Sequence, residues 1–250
     1  MKAIDPHPAN ERADQHQWFT TTHWSVVLSA RESSPQSAAA LEALCRTYWP
    51  PLYTYLRRRG QGVPEAQDLT QAFIAHLLAS DFLEDVSRDK GKFRSFLLAS
   101  LNNFLANEHE RAGTQKRGGG VTFVPIYAGD TEEWLRAEPA TTETPEDIFD
   151  RRWALTLLER SFQHVRGEFE AAGKLPQFER LKSFLEGDVK HGDYEVAARE
   201  LHMSAGAVAV AVHRLRQRYR DVLRLEIAKT VGTPLQVDEE LRHLQAILSR

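Results

Sequence analysis

Side-chain amides and guanidinium groups, rather than nucleophiles, dominate the residues of this chain whose types and spacing could do chemistry. Asn103 and Asn107 stand four apart in a helix-forming stretch, GKFRSFLLASLNNFLANEHER. They lie on a different face from its apolar stripe of Phe93, Phe96, Leu97, Leu101, Phe104 and Leu105. Amides on an exposed face can read the edges of nucleic-acid bases. Phe93 itself sits at the mouth of a basic loop carrying Lys90, Lys92 and Arg94. A ring at that spacing is either core or a platform on which an unpaired base stacks. Farther along, YEVAARELHMSAGAVAVAVHRLRQRY reads as helix, tight turn and second helix, with Met203-Ser204 as the break and Ser204 as an N-cap. Val208, Val212, Leu215, Tyr219 and Val222 mark the buried face of that second helix, and Arg214, Arg216, Arg218 and Arg220 follow within it. In such a helix-turn-helix the second helix usually enters the major groove of duplex DNA.

Other chemistries find little support. His16, His23, His109, His191 and His202 have neither ligand spacing nor a thiol partner, so no metal site is expected. Gly118-Gly119-Gly120 is followed by no Gly-Lys-Ser/Thr opening a helix; it reads as a hinge rather than a phosphate loop. No Ser/His/Asp set or paired carboxylates stand out. The chain is expected to be no enzyme and to need no cofactor.

The elements that must position these residues are helical. At 250 residues there is room for one large or two small domains, and the net charge of −3 conceals strong local asymmetry. Ser204 to Arg224 carries five Arg against one Asp, a net of +4, while Ala128 to Asp150 carries eight acids against one Arg, a net of −7. The single Cys45 excludes an internal disulfide. No apolar run is long enough to cross a bilayer, and MKAIDPHPANERADQHQ lacks a signal-peptide core, so no membrane partner and a cytoplasmic location are expected.

Strand signals are scarce and amphipathic helical ones recur, so the expected class is all-α. Trp18 to Leu28 forms a short docking helix, and Ala38 to Arg58 a longer one that Pro50-Pro51 should bend or interrupt. Val63 to about Leu78 opens with Pro64, and Phe93 to Arg111 is the cleanest helix of the first half. Gly113 to Pro145, with a β-like VTFVPIY and then acids and prolines, reads as an inter-domain linker. Helices resume at Pro145 and include Arg152 to Phe169, Leu175 to Leu185 and the helix-turn-helix; Leu235 to Leu248 forms a last one, with Val237, Leu241, Leu244 and Leu248 on one face.

Taken together, the two constellations resemble the extracytoplasmic-function sigma factors of bacterial RNA polymerase. Asp68-Leu69-Thr70-Gln71 with Phe73 is similar to one family signature, with one residue fewer before the aromatic. Phe93-Arg94-Ser95-Phe96-Leu97 with Asn103 and Asn107 is similar to a second, and Gly206-Ala207-Val208 followed by His213-Arg214 to a third. Thr22 to Val27 and Glu226 to Val231 look like those of a subgroup with C-terminal extensions. The resemblance implies two small helical domains on an acidic linker. An N-terminal tail and docking helix would occupy residues 1–34, sigma domain two 35–117, the linker 118–145, sigma domain four 146–231 and an extension helix 232–250.

It further implies that Asp68, Leu69 and Gln71 dock on the β′ clamp of core RNA polymerase, whose β flap would be met as well. Lys90, Lys92, Phe93, Asn103 and Asn107 would take a base flipped from the minus-ten element of promoter DNA. Ser204, Ala205, Gly206, Ala207, Ala209, Val210, His213 and Arg214 would meet the minus-thirty-five element as duplex. An anti-sigma factor, or the chain's own C-terminal helix, would be a regulator. That helix would either cap apolar surface of the second domain or pack over Ala209 and Val210 and block DNA.

The chain departs from the family where Ala209, Val210 and Ala211 stand in place of polar base readers, and where Asn107 and Glu110 replace an acid and a base. Apolar contacts to thymine methyls, with Arg214 and the helix N-terminus on phosphates, could then carry recognition. A free-standing helix-turn-helix regulator is the alternative, and a sigma-like module that only binds protein a third. Neither alternative requires both Asp68-Leu69-Thr70-Gln71 and Asn103.

Overall fold

Aromatic and aliphatic side chains crowd Leu44 to Leu56, and in the computed structural model they carry a helix straight through two prolines. The structure describes residues 35–79, 92–112, 128–137, 143–187 and 192–249. Helix α1 (Pro35–Arg58) runs unbroken past Pro50 and Pro51. Tyr48, Leu52, Tyr53, Tyr55 and Leu56 are buried on both sides of the pair. That burial, at about 1.5–3 kcal/mol for each large side chain, outweighs the backbone bonds the prolines cannot make. Of the bend or interruption expected there, the interruption does not occur.

Next come α2 (Val63–Ala79), α3 (Phe93–Ala112) and α4 (Ala128–Ala137). Phe73 of α2 meets Phe104 of α3 with ring centroids 5.7 Å apart, and Tyr48 of α1 meets Phe93 of α3 edge-on at 5.2 Å. The expected stripe of α3 is buried, with Phe96 at its half-buried margin. Helix α5 (Pro145–Ala171) starts where Pro145-Glu146-Asp147 indicated, with the Thr144 hydroxyl accepting the Asp147 amide at 3.1 Å.

After α5 come α6 (Leu175–Leu181), a single turn α7 (Ser183–Glu186), α8 (Asp193–Glu200), α9 (Ala205–Ala228) and α10 (Pro234–Leu248). Among the described residues there is no strand, and the fold is all-α. The β-like VTFVPIY, the Gly-rich hinge, the N-terminal docking helix and Lys90 lie outside the described residues.

The chain divides into two compact units, one of residues 1–156 with 227–250 and the other of Leu157–Glu226. This differs from a division at an acidic linker over 118–145. Within that stretch α4 belongs to the first unit and is fastened to α1: Glu132 accepts from Arg57 at 2.9 and 3.0 Å and from the Tyr53 hydroxyl at 2.6 Å. The second unit is built around Phe178, which Phe162 and Phe169 flank at 5.1 and 5.5 Å. Val165, Leu181, Phe184, Ala197, Val208, Val212, Leu215 and Val222 complete its core. No helix among the described residues is long and apolar enough to cross a membrane.

Candidate nucleic-acid interface

The helix-turn-helix is formed by α8, the turn Leu201–Ser204 and α9. Gly192 opens α8 in the left-handed region, at φ 95, which favours glycine. Its close is unusual: His202 takes φ 54, a conformation few side chains adopt, while the Met203 amide returns to the Ala198 carbonyl at 2.9 Å. Ser204 then caps α9 as expected, its hydroxyl accepting the Ala207 amide at 3.2 Å. Val208, Val212 and Leu215 point into the core, so the helix turns its opposite side outward. Ser204, Gly206, Ala209, Val210, His213 and Arg214 are exposed, and Ala205 and Ala207 half-buried. Val210 is 51% exposed, an unusual position for a large apolar side chain here.

The arginines of α9 divide by role. Arg214 is exposed and makes no side-chain hydrogen bond or ion pair among the described residues. Arg216 donates twice to the Phe184 carbonyl, at 3.1 and 2.8 Å, which fastens α7 to α9. Arg218 forks onto Glu168, whose carboxyl it holds below the usual range through those hydrogen bonds. Arg220 donates to Gln217 at 2.9 Å. Beside the outward face lies an open groove of about 600 Å³ with Phe169, Met203 and Val210 along it and Lys174, Arg214 and the Glu168–Arg218 pair as its charged groups.

In the first unit Asp68 is exposed on α2, with Leu69 and Gln71 half-buried next to it. Thr70, between them, is buried and donates to the Ala66 carbonyl at 2.6 Å. Asn103 and Asn107 are both exposed on α3, one turn apart, so their amides share an outward face. Neighbouring Asn102 has a different task, accepting from Tyr55 at 2.8 Å and from Arg59 at 2.6 Å.

Phe93 and Lys92 do not join that face as expected. Phe93 is wholly buried between Tyr48 and Phe96, so its ring is not presented for stacking on a base. Lys92 is engaged by Glu240 of α10. The extension helix α10 belongs to the first unit. Its buried face is Val237, Glu240, Leu244 and Ile247. Glu240 takes Arg94 Nε at 2.9 Å as well as Lys92, while Arg94 also pairs with Asp150 and lies 5.1 Å over the Trp153 ring. His243 Nε2 meets Asp150 at 3.0 Å.

Burial alone would raise the Glu240 carboxyl; the hydrogen bonds and charges of Arg94 and Lys92 outweigh it and hold the group below the usual carboxylate range. Sequence reasoning missed this cluster. Its signal was an acid in the register of an apolar stripe, three residues after Val237 and four before Leu244.

Among the described residues no group of His, Cys, Asp and Glu is arranged to hold a metal ion. No family model, curated protein or solved structure matches the chain.

Proposed function

We propose that this chain is a sigma factor, which binds core bacterial RNA polymerase, recognises a bipartite promoter and helps to melt it. The observation that carries the reading is the pair of outward polar sites on α2 and α3, Asp68 and Asn103 with Asn107, on a chain that also holds a helix-turn-helix. A helix-turn-helix needs neither site to bind duplex DNA. A polymerase-bound reader needs both, one to dock and one to hold an unpaired base.

In this reading α9 approaches the minus-thirty-five duplex with Ala209 and Val210 against thymine methyls and Arg214 on the phosphates. The free amides at the Ser204-capped end of α9 add their partial positive charge. Asn103 and Asn107 take the base edge of the minus-ten strand, and Phe93 supports them from the core. Flipping a base costs about a few kcal/mol, which its capture offsets. Bond formation is left to the polymerase.

The test is reconstitution of the full chain with core bacterial RNA polymerase, followed by sequencing of transcripts from a randomised promoter library. Transcripts sharing two spaced elements support the reading. Absence of a polymerase complex sinks it, and sequence-specific duplex binding indifferent to polymerase would favour a free-standing regulator.

A further inference from the structure

We infer that the groove beside the outward face of α9 is a site for a small aromatic carboxylate, and that this ligand and duplex DNA exclude each other. The exclusion rests on the reading of α9 as a duplex-facing helix; the site itself does not.

Three local structures of the second unit build the groove. Helix α5 closes on Gly173, whose φ of 69 lies in the left-handed region, and the Lys174 amide returns to the Phe169 carbonyl at 2.7 Å. That closure sets both Phe169 and Lys174 along the groove. The turn after α8 supplies Met203, whose sulfur receives the Gln177 amide at 3.9 Å. Helix α9 supplies Val210, Ala211 and Arg214.

Charge decides what fits. Glu168 and Arg218 also line the groove but neutralise one another. Lys174 and Arg214 are exposed and make no side-chain hydrogen bond or ion pair among the described residues. Two unbalanced cations thus border an apolar lining, which suits an anion carrying an apolar body. A phosphate alone would leave the lining wet, and a neutral hydrocarbon would leave both cations unused. The volume, about 600 Å³, is that of a small-molecule site.

The lining also selects the body. The Phe169 ring packs edge-on or offset against a second ring, and the Met203 thioether favours a ring edge. The Arg214 guanidinium matches a planar carboxylate with two parallel hydrogen bonds. A rigid aryl acid meets all three and loses little rotational freedom on binding. Val210, 51% exposed, and Ala211 stand where polar base readers were expected. They offer DNA only methyl contacts, whereas to an aryl ring they offer a wall. A ring over Val210 with its carboxylate on Arg214 takes the side chains that α9 would present to the duplex.

The probe is cinnamate, added to the isotope-labelled full chain and followed by amide chemical shifts. Saturable shifts around Lys174, Met203, Val210 and Arg214 are expected, with a dissociation constant of about 1 mM or below. Cinnamamide, the neutral isostere, should bind the unmodified chain about tenfold more weakly, because the charged hydrogen bonds are lost. Lys174→Gln and Arg214→Gln should each weaken cinnamate binding by a similar factor. Arg220→Gln removes an arginine of α9 that does not line the groove and should bind as the unmodified chain does. No saturation by about 20 mM, equal affinity for acid and amide, or shifts centred elsewhere overturns the inference.

A second arm adds cinnamate to the full chain bound, alone or with core polymerase, to a fluorescent AT-rich duplex at low salt. Release of the duplex in step with filling of the groove is expected, and a duplex retained at saturation overturns the exclusion. A chain that takes cinnamate as described but binds no duplex in either form sinks the proposed function and the exclusion with it, and leaves the site standing.

Discussion

Tyr53 donates its hydroxyl to Glu132 across 2.6 Å, joining two helices 79 residues apart in sequence. Arg57, one turn after Tyr53, grips the same carboxylate with two nitrogens. A buried acid held this way gives α4 a docking geometry that its small apolar content could not specify. The hydrogen bonds from Arg57 pull Glu132 from an ordinary value of 4.5 down to about 2, against the opposing effect of burial. Burial and Glu132 together push Tyr53 from 10.0 up to about 12.

The sign of the pH dependence follows. A carboxylate with a depressed folded pKa gives stability that is fully present above 4.5 and fades as pH falls towards about 2. The raised phenol gives stability that is complete below 10.0 and fades as pH climbs towards about 12. Glu132→Gln should therefore lose docking stability at neutral pH, by about 1–3 kcal/mol, since Arg57 and Tyr53 lose their charged acceptor. Near-ultraviolet circular dichroism followed against pH and urea in both proteins would check this; identical curves between pH 5 and 9 would refute it.

Ser204→Ala tests the cap of α9 separately from any DNA contact. The Ser204 hydroxyl satisfies the Ala207 amide, and losing it should destabilise the second unit by about 1 kcal/mol, with Ser204→Asp retaining most of the stability. Urea denaturation measures the difference. Equal midpoints for wild type and Ser204→Ala would mean that solvent caps the helix equally well.

Much of this fold was legible because helical periodicity is local information. The apolar stripes of α3 and α9, the Pro145 start of α5 and the Ser204 cap each follow from residues a few positions apart. What stayed illegible depends on partners distant in sequence. Pro50 and Pro51 signal a break unless one knows how much apolar surface α1 buries around them. The acids of residues 128–150 look like a solvated tether until Arg57 claims Glu132 and Arg94 claims Asp150. Phe93 fits either core or base platform by spacing, and only Tyr48, 45 positions earlier, decides for core. At the candidate site the outward set on α9, together with Asp68, Asn103 and Asn107, was readable as the complement of the stripes. The capture of Lys92 by Glu240 was not, since it joins chain segments far apart.

Arg214→Ala should weaken duplex binding uniformly across sequences. Arg214 is exposed on α9 and has no partner to lose among the described residues, so its removal leaves the fold intact. One phosphate contact fewer lowers the log-log salt slope by about 0.9. Arg216→Ala should behave differently, because Arg216 holds the Phe184 carbonyl and its loss destabilises the unit by about 1–3 kcal/mol as well as discharging it. A salt titration of binding and a thermal melt on both variants separate the two effects. An unchanged slope for Arg214→Ala would remove this residue from the interface.

Asn103→Ala should impair promoter opening more than it impairs binding of closed duplex. The amide is exposed, one turn from Asn107, and makes no side-chain hydrogen bond among the described residues, so its removal leaves core packing untouched. If it pairs with a base only after that base has left the stack, duplex affinity should stay within about twofold while opening falls by about tenfold. A base-edge pairing is worth about 1–3 kcal/mol, and tenfold corresponds to 1.4 kcal/mol at its lower end. Permanganate footprinting of unpaired thymines with reconstituted polymerase reads opening, and gel shift at low temperature reads closed binding. A promoter carrying a preformed mismatch bubble should restore most of the lost opening, because flipping then costs little. Equal loss in both assays, or no rescue by the bubble, would assign Asn103 to duplex binding instead.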